Sequence, residues 1–385
     1  MLMNRFPENK ERSFVFREID GAYIVWVANG NQYLQLEEPA FFVFQHLEQG
    51  TPPEQIAAEC AKRYHNTEEK TKQFVSDIGA GIETIRQTPV SFVNGNTNNP
   101  EIKKKTFVPY STHSYRINGK HLRFCYETRL YEYYLHPLLQ HLESQTPSSD
   151  FILFELFADR GNIVLRVNNQ LKGIWKQDET HLLKGMVFLQ LLNAMYDKND
   201  SDWMAVVHAS AVTNGNKTIV FTAAPGSGKS TIAALLQQKG FTLVSDDFVP
   251  VEGSSRCVFP FPAALSVKEG ANEMLSAFYP SLKEGGTAQR SLTNKMVKYV
   301  PVEGKAVPAP VKEVFFIQYH PEIDFNMERL PRASSLKLLL DEAWTFPSAE
   351  NASRFLEWYS QLSCYRLSYS NNEKALDTIT KLFEE

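Results

Sequence analysis

The chain has little cysteine. Its four thiols in 385 residues, Cys60, Cys125, Cys257 and Cys364, are far apart, with no CxxC pair and no metal-ligand spacing. That argues against a disulfide framework and a cysteine-held metal, so the thiols read as reduced and structural. Long apolar runs are missing too. Nothing approaches the roughly 18 residues of a membrane span, and the start MLMNRFPENKERSFVF has no signal-peptide core. The expected location is the cytoplasm. Charge of neither sign dominates: 40 Lys and Arg stand against 44 Asp and Glu, a net −4, which gives no general affinity for nucleic acid. The run Lys103-Lys104-Lys105 reads as a solvated linker edge. No internal repeat is evident. A hydrophobic fraction of 43% with 22% charged residues is that of an ordinary folded protein, and the length implies two or three domains.

The informative stretch is TIVFTAAPGSGKSTIAALLQQKGFTLVSDD, residues 218–247. Residues 218–222 form a β-branched and aromatic run, 223–228 are small and turn-forming, and Ile232, Leu235 and Leu236 recur at helical spacing: strand, loop, helix. Ala223, Pro225, Gly226, Ser227, Gly228, Lys229, Ser230 and Thr231 form the candidate phosphate loop. Gly226 and Gly228 let backbone N–H groups turn inward, and the following helix points its positive end at the same spot. In this loop type Lys229 reaches the terminal phosphates of ATP and the Ser230 hydroxyl sits on Mg²⁺. The pattern departs once, with Ala223 where a glycine usually stands.

A second strand, 241–245, runs into Asp246-Asp247. On a regular strand adjacent acids face opposite ways, so one of them is the candidate metal ligand; at a strand end the chain can turn and present both. The other acid is the candidate base for an attacking hydroxyl. Upstream, 205–212 (AVVHASAV) reads as one apolar strand with His208 in its middle, and Asn214-Gly215-Asn216 as the turn into the loop strand.

The order HASAV, turn, IVFTAAPGSGKST, helix, QQKGFTLVSDD closely resembles HPr kinase/phosphorylase and its relatives, including the kinase-like proteins of peptide-modification clusters. The resemblance implies an α/β catalytic core similar to that of ATP-dependent phosphoenolpyruvate carboxykinase. It also implies that His208 lies near the phosphates, Asp246 lies on the metal side, and the acid pair supplies the base. Residues 152–385 are covered, strongly only 206–251. The glycine-rich acidic signature that bifunctional HPr enzymes carry after the acid pair is absent, so neither phosphorylase activity nor HPr as substrate is implied. Relatives often carry a Pro-x-Pro stretch like VFPFPAALSV followed by a lysine, which makes Lys268 a candidate phosphate contact. Residues 285–290 (GGTAQR) are a candidate lid, with Arg290 a candidate for the transferring phosphate.

At the N-terminus, 13–17, 22–28 and 32–36 read as hairpin strands, and 39–49, 54–64 and 67–86 as helices, a winged-helix-like unit. YIVWVANGNQYLQLEEPAFFVFQHLEQGTPPEQIAAECAKRY resembles the PqqD-type peptide-recognition domain. Such a unit can lend a strand edge to an extended leader peptide, with side chains dropping into a groove against its last helix. A DNA-binding winged helix is the other reading; Glu54, Glu59, Glu68 and Glu69 argue against it. The expected organisation is a peptide-recognition domain (1–90), a linker (91–109) and a catalytic domain (110–385).

In the catalytic part, 121–126, 151–158 and 162–167 read as strands. The Tyr126, Tyr131, Tyr133, Tyr134 cluster reads as packing, and 180–197 as an amphipathic helix beside the loop strand. Further on, 311–319 is an expected strand, 334–344 and 352–364 are helices, 365–369 is a strand, and a last helix starts at Asn372.

Together these imply a kinase using ATP and Mg²⁺ on a serine or threonine hydroxyl of a ribosomal precursor peptide. Other cluster enzymes and a homo-oligomer are further partners the resemblance allows, with no nucleic acid or membrane. A nucleotide-gated peptide-binding module and a kinase for free serine remain open alternatives.

Overall fold

Strand-forming residues alternate around a turn at Asp20 (φ 49°) and Gly21 (φ 80°), and this left-handed pair closes the first hairpin. The strands are β1 (Phe14–Ile19), β2 (Ala22–Val27) and β3 (Gln32–Leu36), paired in that order. Helices α1 (Glu38–Glu48), α2 (Pro53–Arg63) and α3 (Glu68–Gln87) follow, the first two with proline in the opening turn, where no N–H is needed. Phe41 and Phe44 of α1 bury against Val25, Val27 and Ile82, which fixes these helices on one sheet face. The other face is used as well. Ile19 and Ile24 belong to a core shared with Leu336, Leu339 and Phe355 near the C-terminus.

The computed structural model describes residues 13–88, 102, 105–146, 148–283, 289–290, 296–302 and 306–384. The chain is mixed α/β with several sheets. Most of the expected 91–109 linker, and Gly285 to Ala288 of the expected lid, lie outside the described residues. The described part of the linker is partly packed and partly solvated, with Thr106, Val108 and Pro109 exposed. Ile102 and Phe107 pack with Phe157, Val164 and Leu171, and Lys105 Nζ donates to the Ala158 carbonyl at 2.7 Å.

A five-stranded sheet comes next: β4 (Ser111–Ile117), β5 (Lys120–Tyr126), β6 (Ile152–Asp159), β7 (Asn162–Val167) and β8 (Gln170–Trp175), in sequence order. Only β5 and β6 are parallel, and α4 (Arg129–Leu139) makes the crossover between them. Tyr126 and Tyr131 are buried in its core, as expected for packing residues. Helix α5 (Thr180–Tyr196) differs from expectation. It is buried nearly all round, through Leu183, Met186, Val187, Phe188, Leu189, Leu191 and Leu192, so it is not amphipathic. It packs with this sheet and with Trp203 and Val206, whereas the loop-strand residues Ile219 and Phe221 belong to another core cluster.

A ten-stranded sheet follows. Expected as one strand, 205–212 is two: β9 (Trp203–Val207) and β10 (Ala209–Thr213) join different neighbours, and the chain changes partners at His208. The sheet continues with β11 (Thr218–Thr222), then helix α6 (Lys229–Gln238), β12 (Thr242–Asp246), β13 (Val249–Glu252) and β14 (Cys257–Val258). A smaller sheet takes β15 (Leu265–Lys268), β16 (Gln289–Arg290) and β17 (Met296–Val300), with α7 (Glu269–Leu275) after β15. The long β18 (Ala309–Tyr319) pairs with β14 at its start and, further along, parallel to both β11 and β21 (Ser363–Tyr369). β19 (Phe325–Leu330) lies beyond β21.

Two expected helices are shorter. α8 (Arg332–Leu340) stops before β20 (Ala343–Thr345), which adds to β9, and α9 (Ala349–Tyr359) ends before β21 begins at Ser363. The last helix, α10 (Asn372–Glu384), starts as expected. The first unit docks on this region: Arg332 Nη2 donates to Asp20 at 2.7 Å and Asn31 Nδ2 to the Thr345 carbonyl at 2.9 Å. Among the described residues no helix is long and apolar enough to cross a membrane.

Trp344 packs on α5 at Gly185, where an added Cβ would lie 2.0 Å from the ring. Gly185→Ala normally gains helix propensity, but here overpacking should outweigh it by about 1–3 kcal/mol. A lower thermal midpoint is expected; an unchanged or higher one would show that the ring is not seated there.

Candidate functional site

The candidate phosphate loop has the backbone its composition demands. Gly226 (φ 98°) and Gly228 (φ 99°) are left-handed, a region costly to any residue with a Cβ, and a Cβ on Gly228 would also crowd the Tyr369 hydroxyl at 3.2 Å. Ala223 is not among the positive-φ residues, so alanine is unstrained where a glycine is usual. Its carbonyl accepts from Lys229 Nζ at 2.6 Å. The Ser227 carbonyl accepts from Tyr319 N at 3.0 Å and its hydroxyl donates to the Ala224 carbonyl at 2.8 Å, so the loop is tied to β18.

Asp246, 1% exposed, lies beneath the loop. Ser230 Oγ donates to both its carboxylate oxygens at 3.0 Å, the Ser266 N–H donates at 3.1 Å, and the Ser210 hydroxyl also donates. Register explains Ser210, because β10 and β12 pair it directly with Asp246. Burial, followed by the neighbouring Asp247 charge, pushes the Asp246 pKa up despite these bonds.

Asp247 has φ 63°, an uncommon left-handed conformation for a non-glycine residue just past a strand end. The turn swings its carboxylate away from Asp246 toward cations. His208 Nε2 lies 3.5 Å from one oxygen and Lys184 Nζ 3.7 Å from the other. Burial alone would raise its pKa; the His208 hydrogen bond, with the Lys184 and Lys229 charges, outweighs that and holds it low. His208 is bonded on its other side, Nδ1 to Glu342 at 2.7 Å. Its pKa is raised, first by the Asp247 bond. Lys229, 5% exposed, has its pKa lowered by burial.

Pro225, Gly226, Gly228, Lys229, Ser230, Thr231, His208, Asp247 and Lys268 line one cavity of about 470 Å³, with Tyr319 and Tyr369 on its wall. Most expected site residues therefore converge, with Ala223 and Ser227 acting through the loop backbone and Asp246 below it. Lys268 is exposed at the rim. The Arg290 side chain lies outside what is described. Lys184, Ser210, Ser266 and Glu342 were not anticipated. Only Ser210 had a local signal, since it lies two residues beyond His208; Glu342 is 134 residues away from its histidine.

A second cavity, about 640 Å³, borders the edge of β3 that no strand pairs with among the described residues. Its other walls come from α5, α8 and β20, and none of its lining residues belongs to α3. Lys184 sits on the same helix as the lining residues Leu182 and Met186, and Glu342 directly precedes Ala343.

The described geometry can bind an anion on backbone N–H groups and Lys229, offer a hydroxyl and a carboxylate to a hard cation, and hold an ionised carboxylate beside them. Comparison with protein-family models and with curated proteins finds no match.

Because Asp246 titrates above its usual range in the fold, stability is lost as the pH rises from the ordinary carboxylate range to the raised pKa, and the full cost of the buried charge is present above it. Asp246→Asn is expected to raise the metal-free thermal midpoint at pH 8, with a gain that shrinks as the pH falls through the raised pKa. A loss at every pH would mean the hydrogen bonds outweigh the buried charge.

Proposed function

We propose that the chain is an ATP-dependent kinase of HPr kinase/phosphoenolpyruvate carboxykinase type. On this reading a PqqD-like, winged-helix-like N-terminal unit holds a ribosomal precursor peptide, and a serine or threonine hydroxyl of that peptide accepts the γ-phosphate. The observation that carries the reading is the Ser230–Asp246 contact at the base of a loop with two left-handed glycines, beside a separately held Asp247. These donors fit the groups required: hydroxyl plus carboxylate suits Mg²⁺, and an N–H cradle with Lys229 suits polyphosphate.

Mg²⁺ATP supplies the phosphoryl group and the charge neutralisation around it. The chain's own residues do the rest. Ser230 and Asp246 hold the cation, and Lys229 faces the terminal phosphates. Asp247, kept ionised by His208 and Lys184, takes the proton of the acceptor hydroxyl as its oxygen bonds to phosphorus and ADP leaves. Glu342 fixes the His208 ring so that Nε2 faces Asp247.

The peptide part of the reading is supported by the cavity beside β3. A segment pairing with that edge runs between the docked N-terminal unit and the elements that carry Lys184 and Glu342. Tethering raises the local concentration of the acceptor, so the site need not grip it tightly.

The decisive assay supplies Mg²⁺, γ-labelled ATP and the precursor peptide, and reads added phosphate by mass spectrometry. Asp247→Asn should lower the transfer rate about 10²–10⁴-fold with ATP binding retained; transfer near the parental rate would remove Asp247 as the base. ATP binding without transfer to any acceptor would leave a nucleotide-gated module.

Cutting the N-terminal unit from the enzyme would bare the core that Ile19 and Ile24 share with Leu336, so the leader is best removed from the peptide instead. Its loss should reduce kcat/KM by about 10²–10⁴. Equal turnover of a leaderless peptide, or of free serine, would point to a small-molecule kinase.

A further inference from the structure

We propose that Tyr319, Tyr369, Met274 and Asn372 hold the base and ribose of the nucleotide, on the side of the phosphate loop away from the two acids; this rests on the nucleotide-binding reading above. The sheet sets the direction. β10 and β12, which bring Ser210 and Asp246, stand on one side of β11, while β18 and then β21 stand on the other and run parallel to it. In open α/β sheets a ligand lies in the crevice beyond the carboxyl ends of the strands. A nucleotide with its phosphates at the end of β11 therefore has the ends of β18 and β21 for its remaining half. Those ends are Tyr319 and Tyr369, paired in register. Both lie against the loop: a Cβ on Gly228 would meet the Tyr369 hydroxyl at 3.2 Å and Tyr319 Cβ at 3.6 Å.

The lining changes character between the two parts of the cavity. Gly270, Ala271, Met274, Tyr319, Tyr369 and Asn372 carry no charge, whereas the loop part has Lys229, His208 and Asp247. An uncharged, partly aromatic wall suits a neutral heteroaromatic ring and gives a further phosphate nothing to pair with.

Two polar groups on that wall lack good partners. Tyr369 is 1% exposed, yet among the described residues no hydrogen bond engages its hydroxyl. A buried tyrosine hydroxyl ordinarily has a partner, and a ribose hydroxyl or a ring nitrogen supplies one. Asn372 Nδ2, at the start of α10, donates to Met274 Sδ of α7 at 3.2 Å, and a thioether is a weak acceptor that a base nitrogen or ribose oxygen outcompetes. Tyr319 contributes the stacking surface. Its ring stands at 90° to that of Tyr369, with centroids 5.9 Å apart, and remains 50% exposed.

Calorimetric titration of the full chain compares ATP with inorganic tripolyphosphate, each with Mg²⁺. The parent should bind ATP about 10-fold tighter or more. Tyr319→Ala should weaken ATP about 10–100-fold, with Tyr319→Phe restoring it; Tyr369→Phe and Asn372→Leu should each weaken it about 3–10-fold. Tripolyphosphate affinity should stay parental in all four variants, which a general loss of folding or of the phosphate loop would not allow. Parental affinity for tripolyphosphate equal to or above that for ATP, unchanged ATP affinity in both Tyr319→Ala and Tyr369→Phe, or matching losses for the two ligands overturns the assignment and leaves the phosphate site standing. Binding of neither ligand by the folded parent overturns the nucleotide reading itself, and the assignment with it.

Discussion

A single buried carboxylate organises the ten-stranded part of the chain. Asp246 is out of water, and an ion in that position costs several kcal/mol unless its oxygens are hydrogen-bonded. Its donors come from β10, the start of α6 and β15, so the first and last of them are brought against one strand end by long-range folding. The bonds do not cancel the cost, since the pKa remains raised. Carboxylates whose pKa is raised by burial and a neighbouring charge cluster at functional sites.

The break at His208 shapes what surrounds that carboxylate. Because β9 and β10 pair with different strands, the sheet parts there, and the histidine stands between two acids from distant segments. Asp247 faces away from Asp246 through its left-handed turn, so two adjacent acids take different surroundings and their pKa values move apart. Separating two carboxylates in this way is how neighbouring acids acquire different tasks.

Helix α5 joins the parts. Buried on nearly every side, it sits in the core of the five-stranded sheet, carries Lys184 to Asp247, and lines the cavity beside β3 through Leu182 and Met186. The N-terminal unit is therefore docked into the same framework, through Asp20–Arg332, Asn31–Thr345 and the shared apolar core, and is no loosely strung appendage.

The sequence by itself determined the local elements whose signals are short-range. The N-terminal strand and helix order, the Asn214-Gly215-Asn216 hairpin and the strand–loop–helix that carries Gly226 and Gly228 were all readable, because turn chemistry, helical spacing and glycine freedom act within a few residues. Tertiary structure decided the rest. That 205–212 splits at His208, that 343–345 is a strand and not the end of a helix, and that 180–196 is buried all round depend on which neighbours are available, and apolar runs carry no record of that. Glu342 and Lys184 reach the site only because the sheet and α5 carry them there across more than a hundred and about sixty residues of chain respectively, and no spacing rule spans such distances.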